Sequence, residues 1–204
     1  HGAPVIDRDA VYVATTDLGS MFISADSGAT WTKALAAGEA LWDVTYGVGK
    51  FVAVGNYGLT AVSTDGQLWT VNQPPTGGNS LYRVLYTGSV YLGVGDFGGT
   101  AVIASSSNGS SWITKFPAST TGFPFFGIAQ GGGKFVAVGR NNNEAVASDG
   151  ANWTAGTLLP SNTTAYFSDV GYFNGKFVAV GGAGVVANST DGTSAAWTTG
   201  TSGE

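Results

Sequence analysis

Short, almost continuous runs of apolar residues dominate the hydrophobic pattern of the chain. The clearest is FVAVG at residues 51–55, and closely similar runs occupy residues 91–95, 135–139 and 177–181. Each run is short and ends in glycine, which predicts a β-strand rather than a helix. Because apolar residues fill successive positions instead of alternating ones, we expect both faces of these strands to be buried.

Each run belongs to a longer unit that recurs along the chain. A first short strand precedes the run, for example LWDV at 41–44, and a polar turn ending in tryptophan follows it. The first copy, at residues 11–32, matches the later ones imperfectly, and we expect its first strand at Ala3–Ile6. Five tryptophans, separated by 38, 43, 41 and 44 residues, mark five copies: Trp31, Trp69, Trp112, Trp153 and Trp197.

Repeats of about 40 residues with four short strands are typical of β-propellers, in which neighbouring sheets cover each other's apolar faces. We therefore predict an all-β fold, a five-bladed β-propeller with four antiparallel strands per blade, as a single domain across residues 1–204. An open β-solenoid is the alternative, although its repeats are usually shorter. The predicted blades span residues 1–38, 39–78, 79–122, 123–164 and 165–204.

Composition fits a strand-rich chain and narrows the range of partners. Charged residues make up 10% of the chain and the net charge is −5. The eight Lys and Arg residues are scattered, so we expect no nucleic-acid partner. No apolar run approaches the roughly 20 residues of a membrane helix, so we expect no membrane insertion. Cysteine is absent, and the Ser-, Thr- and Asn-rich composition suits an extracellular or surface-exposed setting.

The turn before the first tryptophan has a recognisable pattern. Residues 24–31 read SADSGATW, which matches the Asp-box pattern S-x-D-x-G-x-T-W. The chain therefore resembles the Asp-box, or BNR-repeat, β-propellers, which include sialidases and the photosystem II assembly-factor group. In those families the box lies away from the ligand face, so the resemblance implies a structural role for the box residues. These are Asp26 and Trp31, Asp65 and Trp69, Asn108 and Trp112, Asp149 and Trp153, and Asp191 and Trp197.

We expect no metal at these turns. Each supplies at most one carboxylate, whereas Ca²⁺ takes about six to eight oxygen ligands. The acidic side chain is instead expected to accept hydrogen bonds from backbone N–H groups of its own turn. The glycine then adopts positive φ, and the tryptophan packs between blades.

The candidate ligand face is built from the turns between the second and third strands and from the loops between each fourth strand and the next first strand, because propeller ligands usually bind there. The turns read DLG at 17–19, NYG at 56–58, DFG at 96–98, RNN at 140–142 and GAG at 182–184. These are good tight-turn sequences, and that is one interpretation. The other is a sugar site in which exposed aromatic rings stack on the ligand and polar groups surround them. Its candidate residues are Asp17, Asn56, Tyr57, Asp96, Phe97 and Arg140.

A second candidate set lies on the first strands, which line the central channel of a propeller. Its members share one position of the repeat: Asp43, Arg83 and Asp169, with Gly127 in the fourth copy and Pro4 in the first. Asp43 and Arg83 fall on neighbouring blades. They form either an ion pair between blades or a polar site at the channel mouth.

We expect no catalytic residues and no cofactor. The single histidine, His1, cannot supply an internal triad and is best explained as a tag remnant or processing scar. The R-I-P arginine motif of sialidases is absent. The sequence favours a non-catalytic recognition module that binds carbohydrate or a cell surface. The first alternative is a protein-interaction scaffold, and the second is a glycosidase that uses carboxylates such as Asp43 and Asp169.

Overall fold

The structure is a computed structural model that describes residues 6–8, 11–73, 78–115, 123–159 and 165–200. The described residues form five four-stranded sheets, which confirms the all-β prediction and fits the predicted number of blades. Helices with the length and hydropathy of a transmembrane segment are absent from these residues. His1 and Pro4 lie outside the described part of the chain.

Each sheet is built from four strands that are consecutive in the sequence and adjacent in the sheet. The first contains β1 (Ile6–Arg8), β2 (Val11–Thr15), β3 (Ser20–Ser24) and β4 (Thr32–Ala36). The second contains β5 (Leu41–Gly47), β6 (Lys50–Gly55), β7 (Thr60–Ser63) and β8 (Thr70–Asn72). The third contains β9 (Ser80–Tyr86), β10 (Tyr91–Phe97), β11 (Thr100–Ser106) and β12 (Ile113–Lys115). The fourth contains β13 (Phe125–Gly131), β14 (Lys134–Gly139), β15 (Asn143–Ala147) and β16 (Thr154–Thr157). The fifth contains β17 (Phe167–Phe173), β18 (Lys176–Gly181), β19 (Val186–Ser189) and β20 (Thr198–Gly200).

The chain divides into two compact units. Unit 1 comprises residues 1–93 and 105–113, and unit 2 comprises residues 94–104 and 114–204. The first and second sheets belong to unit 1, the fourth and fifth sheets belong to unit 2, and the third sheet contributes residues to both. Strand pairing is antiparallel in the first, second, fourth and fifth sheets, as expected for strands joined by short turns.

The second strands of the second, third and fourth sheets are buried along most of their length, whereas Val180 in β18 is 43% exposed, so the expected burial of both faces does not extend to the fifth sheet. In β6 the four residues 51–54 are all fully buried, so both faces of the strand are covered, as the unbroken apolar run predicts. In unit 1 the ring of Phe51 lies 4.9 Å from that of Tyr46 and 6.2 Å from that of Trp69. In unit 2 the ring of Phe177 lies 4.8 Å from that of Tyr172. Burial of each such phenylalanine contributes roughly 1.5–3 kcal/mol.

Two details of the strands differ from the sequence expectation, and one prediction is covered only in part. Of the first strand expected at Ala3–Ile6, only Ile6 lies in the described part of the chain, where it begins β1. The fourth strands begin one residue after the tryptophan, because the tryptophan belongs to the turn. In β5, β13 and β17 the pairing register shifts by one residue, which places a β-bulge at Trp42, Phe126 and Ser168.

The glycine that ends the second strand is required by close backbone approach. A Cβ on Gly55, Gly139 or Gly181 would overlap the carbonyl oxygen of the residue just before the first strand of the same sheet. That carbonyl accepts a hydrogen bond from the next residue along, as in the Gly182 N to Tyr166 O bond of 2.9 Å. The repeated Val-Gly pair thus marks the point where the turn is attached to the first strand.

We predict that Gly181→Ala destabilises the fold, whereas Gly182→Ala does not. A Cβ on Gly181 overlaps the Tyr166 carbonyl, while one on Gly182 approaches only the Tyr166 side chain, at 3.6 Å. Overpacking of this kind costs about 1–3 kcal/mol, and an exposed substitution stays within about 0.5 kcal/mol. Urea unfolding of the two variants provides the measurement. Equal midpoints would show that the close approach does not constrain this position.

Candidate binding surface at the turns between the second and third strands

Three of the five turns between the second and third strands share one unusual backbone. Residues 56–58, 140–142 and 182–184 each form a single 3-10 turn whose central residue is left-handed. The central residues are Tyr57 with φ 54°, Asn141 with φ 53° and Ala183 with φ 54°. Asparagine tolerates this conformation, but a tyrosine adopts it only at a cost of roughly 1–2 kcal/mol. Ala183 adopts the same conformation, so the strain belongs to the turn backbone that the three copies share.

In unit 1 the strained Tyr57 belongs to an aromatic surface that we define as Trp42, Asn56, Tyr57 and Tyr82. The indole Nε1 of Trp42, at the bulge of β5, donates a 2.7 Å hydrogen bond to Asn56 Oδ1. The rings of Trp42 and Tyr82 meet edge to face, with centroids 6.1 Å apart. Tyr57 is 55% exposed, whereas Trp42 and Tyr82 are half-buried. A rigid, partly exposed group of aromatic rings is the kind of surface on which binding energy concentrates.

Backbone hydrogen bonds hold Tyr57 in place on this surface. Its N–H donates to Ser80 Oγ at 3.2 Å, and its carbonyl accepts from Gly78 N at 2.8 Å. The neighbouring Gly58 N donates to Asn79 O at 3.0 Å. The turn is therefore fixed to the segment that enters β9, so little conformational entropy remains to be lost when a ligand covers the ring.

Unit 2 carries a related group of side chains. Phe126 occupies the bulge of β13, as Trp42 does in β5, and its ring lies 5.1 Å from that of Tyr166. Arg140 is exposed, and its guanidinium carbon lies 5.9 Å from the centre of the Phe123 ring. This arrangement combines flat apolar surface with one cation.

The remaining predicted turn residues are placed differently. Asp96 and Phe97 belong to β10, and the turn that follows is Gly98–Gly99, both with positive φ. A Gly-Gly pair forms a tight two-residue hairpin, which is why the strand extends further than DFG suggests. Asp96 Oδ2 accepts a 2.9 Å bond from Gly99 N, and Phe97 is 58% exposed. Asp17 is exposed in the turn between β2 and β3.

The predicted channel residues are placed among backbone groups. Asp43 is only 3% exposed, and its two carboxylate oxygens accept 2.9 Å bonds from Val44 N and Val84 N. It therefore joins β5 of the second sheet to β9 of the third, within unit 1. Asp169 is half-buried, and its Oδ1 accepts a 2.9 Å bond from Val170 N. Arg83 is half-buried on β9, and its ion pair with Asp43 stays a prediction. A carboxylate bonded to backbone amides, as Asp43 is, does not favour the glycosidase alternative.

The five turns before the tryptophans share a single hydrogen-bond pattern. The Oδ1 atom of the Asp or Asn accepts backbone N–H groups of its own turn, as in the bonds from Ala151 and Asn152 to Asp149 at 2.9 and 2.8 Å. The glycines adopt positive φ, and each tryptophan Nε1 donates to the carbonyl of its turn's glycine. The turn residues with this pattern are Asp26, Trp31, Asp65, Trp69, Asn108, Trp112, Asp149, Trp153, Asp191 and Trp197.

These hydrogen bonds lower the pKa of the turn carboxylates. The Thr30 hydroxyl and N–H hold the pKa of Asp26 at about 2, and the Asn152 and Ala151 N–H groups do the same for Asp149.

The expectation that the tryptophans pack between blades does not extend to Trp31, which is 39% exposed. Trp153 and Trp197, by contrast, are buried. Within the described residues no cluster of His, Cys, Asp or Glu could hold a metal ion.

Sequence reasoning missed Trp42 and Tyr82, the half-buried members of the aromatic surface. The sequence pattern marks each of them only as a residue of a first strand. Their shared position was the available indication, because the same place in the repeat holds an aromatic residue in three successive copies: Trp42, Tyr82 and Phe126. The bulge that turns Trp42 toward Asn56 has no sequence signature of its own, because it depends on the pairing register.

Comparison of the fold with known proteins identifies structural relatives but no sequence family. No protein-family profile and no curated protein sequence matches the chain. YCF48 bound to D1 peptide has a TM-score of 0.67 and 15% identity, covering 96% of this chain and 66% of that one. YCF48 from Cyanidioschyzon merolae has a TM-score of 0.71 and 14% identity, covering 98% and 70%. Streptogramin B lyase has a TM-score of 0.76 and 12% identity, covering 96% and 66%.

These similarities assign the β-propeller fold to the chain. At sequence identities of 12–15%, these similarities show only that the fold is shared. The chain spans about two thirds of the length of the solved structures that it matches.

We predict that Asp149→Asn preserves its turn and that Asp149→Ala does not. Asn108 shows that an amide can replace the carboxylate, since its Oδ1 accepts the N–H groups of Ser110 and Ser111 at 2.9 Å. The native carboxylate has a depressed pKa, so its contribution to stability is present above about pH 4 and is lost as pH falls toward 2. Melting temperatures at pH 7 should follow wild type ≈ Asn variant > Ala variant. Between pH 4 and 2 the wild type should lose more stability than Asp149→Asn, and parallel pH profiles would contradict this assignment.

Proposed function

We propose that the chain is a non-catalytic protein-binding domain that holds a peptide segment of its partner on the aromatic surface of unit 1. The observation that carries the proposal is the exposed Tyr57, which directly follows Asn56, the residue that accepts the hydrogen bond of the Trp42 indole. Tyrosine and tryptophan are the residues most enriched at binding hot spots because they bury large areas at low entropic cost. YCF48, a structurally similar protein, has been solved with a D1 peptide bound, which supports a peptide as the ligand class.

The aromatic surface also supplies a directed hydrogen-bond donor. Since the indole N–H of Trp42 can only donate, it fixes the amide of Asn56 with the oxygen toward the indole. The Nδ2 amino group of Asn56 then points away and can donate to a peptide carbonyl. A flat aromatic platform with one fixed donor suits an extended peptide, whose side chains alternate and whose carbonyls are exposed.

We further propose that the five sheets close into a five-bladed ring whose Asp–Trp turns are Asp boxes. The support is the five-fold repeat, the shared hydrogen-bond pattern of the turns and the propeller relatives. Closure would bring the turns between the second and third strands to a common face. A closed, compact chain of this length should have a radius of gyration of about 17 Å. Small-angle X-ray scattering measures this value, and one several ångströms larger would contradict closure.

Carbohydrate binding is the second candidate. The observation that favours it is the exposure of Tyr57 and Phe97, each next to a polar side chain at its turn, since sugars bind through aromatic faces with neighbouring polar groups. For a carbohydrate-binding domain we propose an extracellular or surface-exposed setting. A glycan array distinguishes the two: binding of defined glycans that requires Tyr57 favours the lectin, and its absence together with peptide binding favours the protein-binding domain.

We predict that Tyr57→Asn weakens peptide binding at least tenfold while leaving the turn intact. Asn141 occupies the same left-handed position in the fourth repeat, so asparagine is compatible with this backbone. Peptides selected from a random phage-displayed library against the wild-type protein serve as probes, and calorimetry measures their affinities. Loss of an aromatic anchor costs about 2 kcal/mol or more.

Two control variants make the result specific. Tyr57→Phe retains the ring and should bind within about twofold of the wild type. Leu68→Ala removes an apolar side chain that is even more exposed, at 80%, from a turn before tryptophan and should have no effect. Selected peptides whose affinity survives Tyr57→Asn would place the binding surface elsewhere.

A further inference from the structure

Glu144 is a fully buried carboxyl group between the fourth and fifth sheets of unit 2. It lies on β15, where its Cα pairs with Gly156 of β16. Its Oε2 accepts a 2.6 Å bond from Ser194 Oγ, and its Oε1 accepts a 2.7 Å bond from Trp197 Nε1. Both donors belong to the segment between β19 and β20, so this one side chain joins the last turn of the fifth sheet to the fourth sheet.

The local backbone is arranged around this contact. A Cβ on Gly156 would overlap Ser194 Oγ and come within 2.8 Å of Glu144 Oε2, so glycine makes room for the pair. Thr157 N donates a further 3.2 Å bond to Ser194 Oγ. In the register of the second and fifth sheets, the matching positions hold the neutral residues Thr60 and Val186. Among these three sheets the carboxyl group is therefore specific to the fourth.

The groups bonded to Glu144 would not neutralise a negative charge on its carboxyl group. Its two bonded donors are neutral, and Asp191 of the fifth sheet adds a second negative charge nearby. Hydrogen bonds from Thr193 chiefly lower the pKa of Asp191, and the Lys134 cation at the start of β14 lowers it further. Burial raises the pKa of Glu144 from 4.5 to about 7.

A pocket of about 430 Å³ lies next to this contact. Its wall contains both Glu144 and Ser194, together with Lys134, Thr154 and Thr193. Glu144 itself is inaccessible to solvent although it lines this pocket, so its carboxyl group lies at the boundary between the packed interior and the pocket.

We propose that Glu144 is a proton-controlled latch that fastens the turn between β19 and β20 onto the fourth sheet. In the neutral acid form, Oε2–H donates to Ser194 Oγ and the carbonyl oxygen accepts from Trp197, so the closed contact buries no net charge. When the proton leaves, the charge favours hydration through the pocket, and the turn that carries Ser194 and Trp197 loosens. The latch thus opens as the pH rises through the neutral range.

Selective carbon-13 labelling of glutamate tests the latch directly in the folded wild-type protein. The chain has three glutamates, Glu39, Glu144 and Glu204, so three carboxyl resonances are expected by NMR. One should titrate near pH 7, and Glu144→Gln should remove that resonance. The Trp197 indole resonance, assigned with Trp197→Phe, should shift with the same midpoint. If all three carboxyl groups titrate below pH 5.5, the proposal is overturned.

Stability measurements provide the second test, with the sign set by proton linkage. Because the pKa is raised in the folded state, the stabilising effect is complete below about pH 4.5 and is lost as pH rises through about 7. Between these values the unfolding equilibrium constant of the wild type should rise roughly tenfold per pH unit relative to Glu144→Gln. Identical pH profiles for wild type and Glu144→Gln would overturn the latch.

Discussion

The candidate binding surface depends on a single backbone contact that recurs in the second, fourth and fifth sheets. The residue after the terminal glycine of the second strand donates its N–H to the carbonyl just before the first strand. The three bonds run from Asn56 to Ala40 at 3.1 Å, from Arg140 to Pro124 at 3.0 Å, and from Gly182 to Tyr166 at 2.9 Å. Glycine alone fits at the preceding position, because any Cβ would occupy the place of that carbonyl.

This backbone contact determines which side chains lie exposed at the turn. It brings the beginning of the turn next to the beginning of the first strand, where a bulge lies at Trp42 in β5 and at Phe126 in β13. In unit 1 Trp42 bonds Asn56, and the next residue, Tyr57, is exposed. The proposed binding surface therefore depends on a packing requirement of the backbone.

Much of the fold was accessible from the sequence because its signals are local and repeated. Apolar runs, terminal glycines and tryptophan spacing predicted the strands and the five sheets. The site was less accessible, since Trp42 is brought to Asn56 by a bulge and Asp43 reaches the backbone of Val84 in the next sheet. Nothing in the sequence around Glu144 indicates its contacts, because its hydrogen-bond partners, Ser194 and Trp197, lie about fifty residues further along the chain. Contacts of this range depend on how sheets stack, and no pattern within one repeat encodes them.

The left-handed residue at the centre of the turn can be exchanged without a change in the backbone, which bears on the proposed binding specificity. Tyrosine, asparagine and alanine occupy this place in three copies of the chain, on backbones whose φ values differ by one degree. The side chain there is thus decoupled from the loop that carries it, so exchanging one amino acid alters the chemistry offered to a ligand without remodelling the scaffold. A family of recognition proteins, natural or engineered, could diversify at these few positions alone.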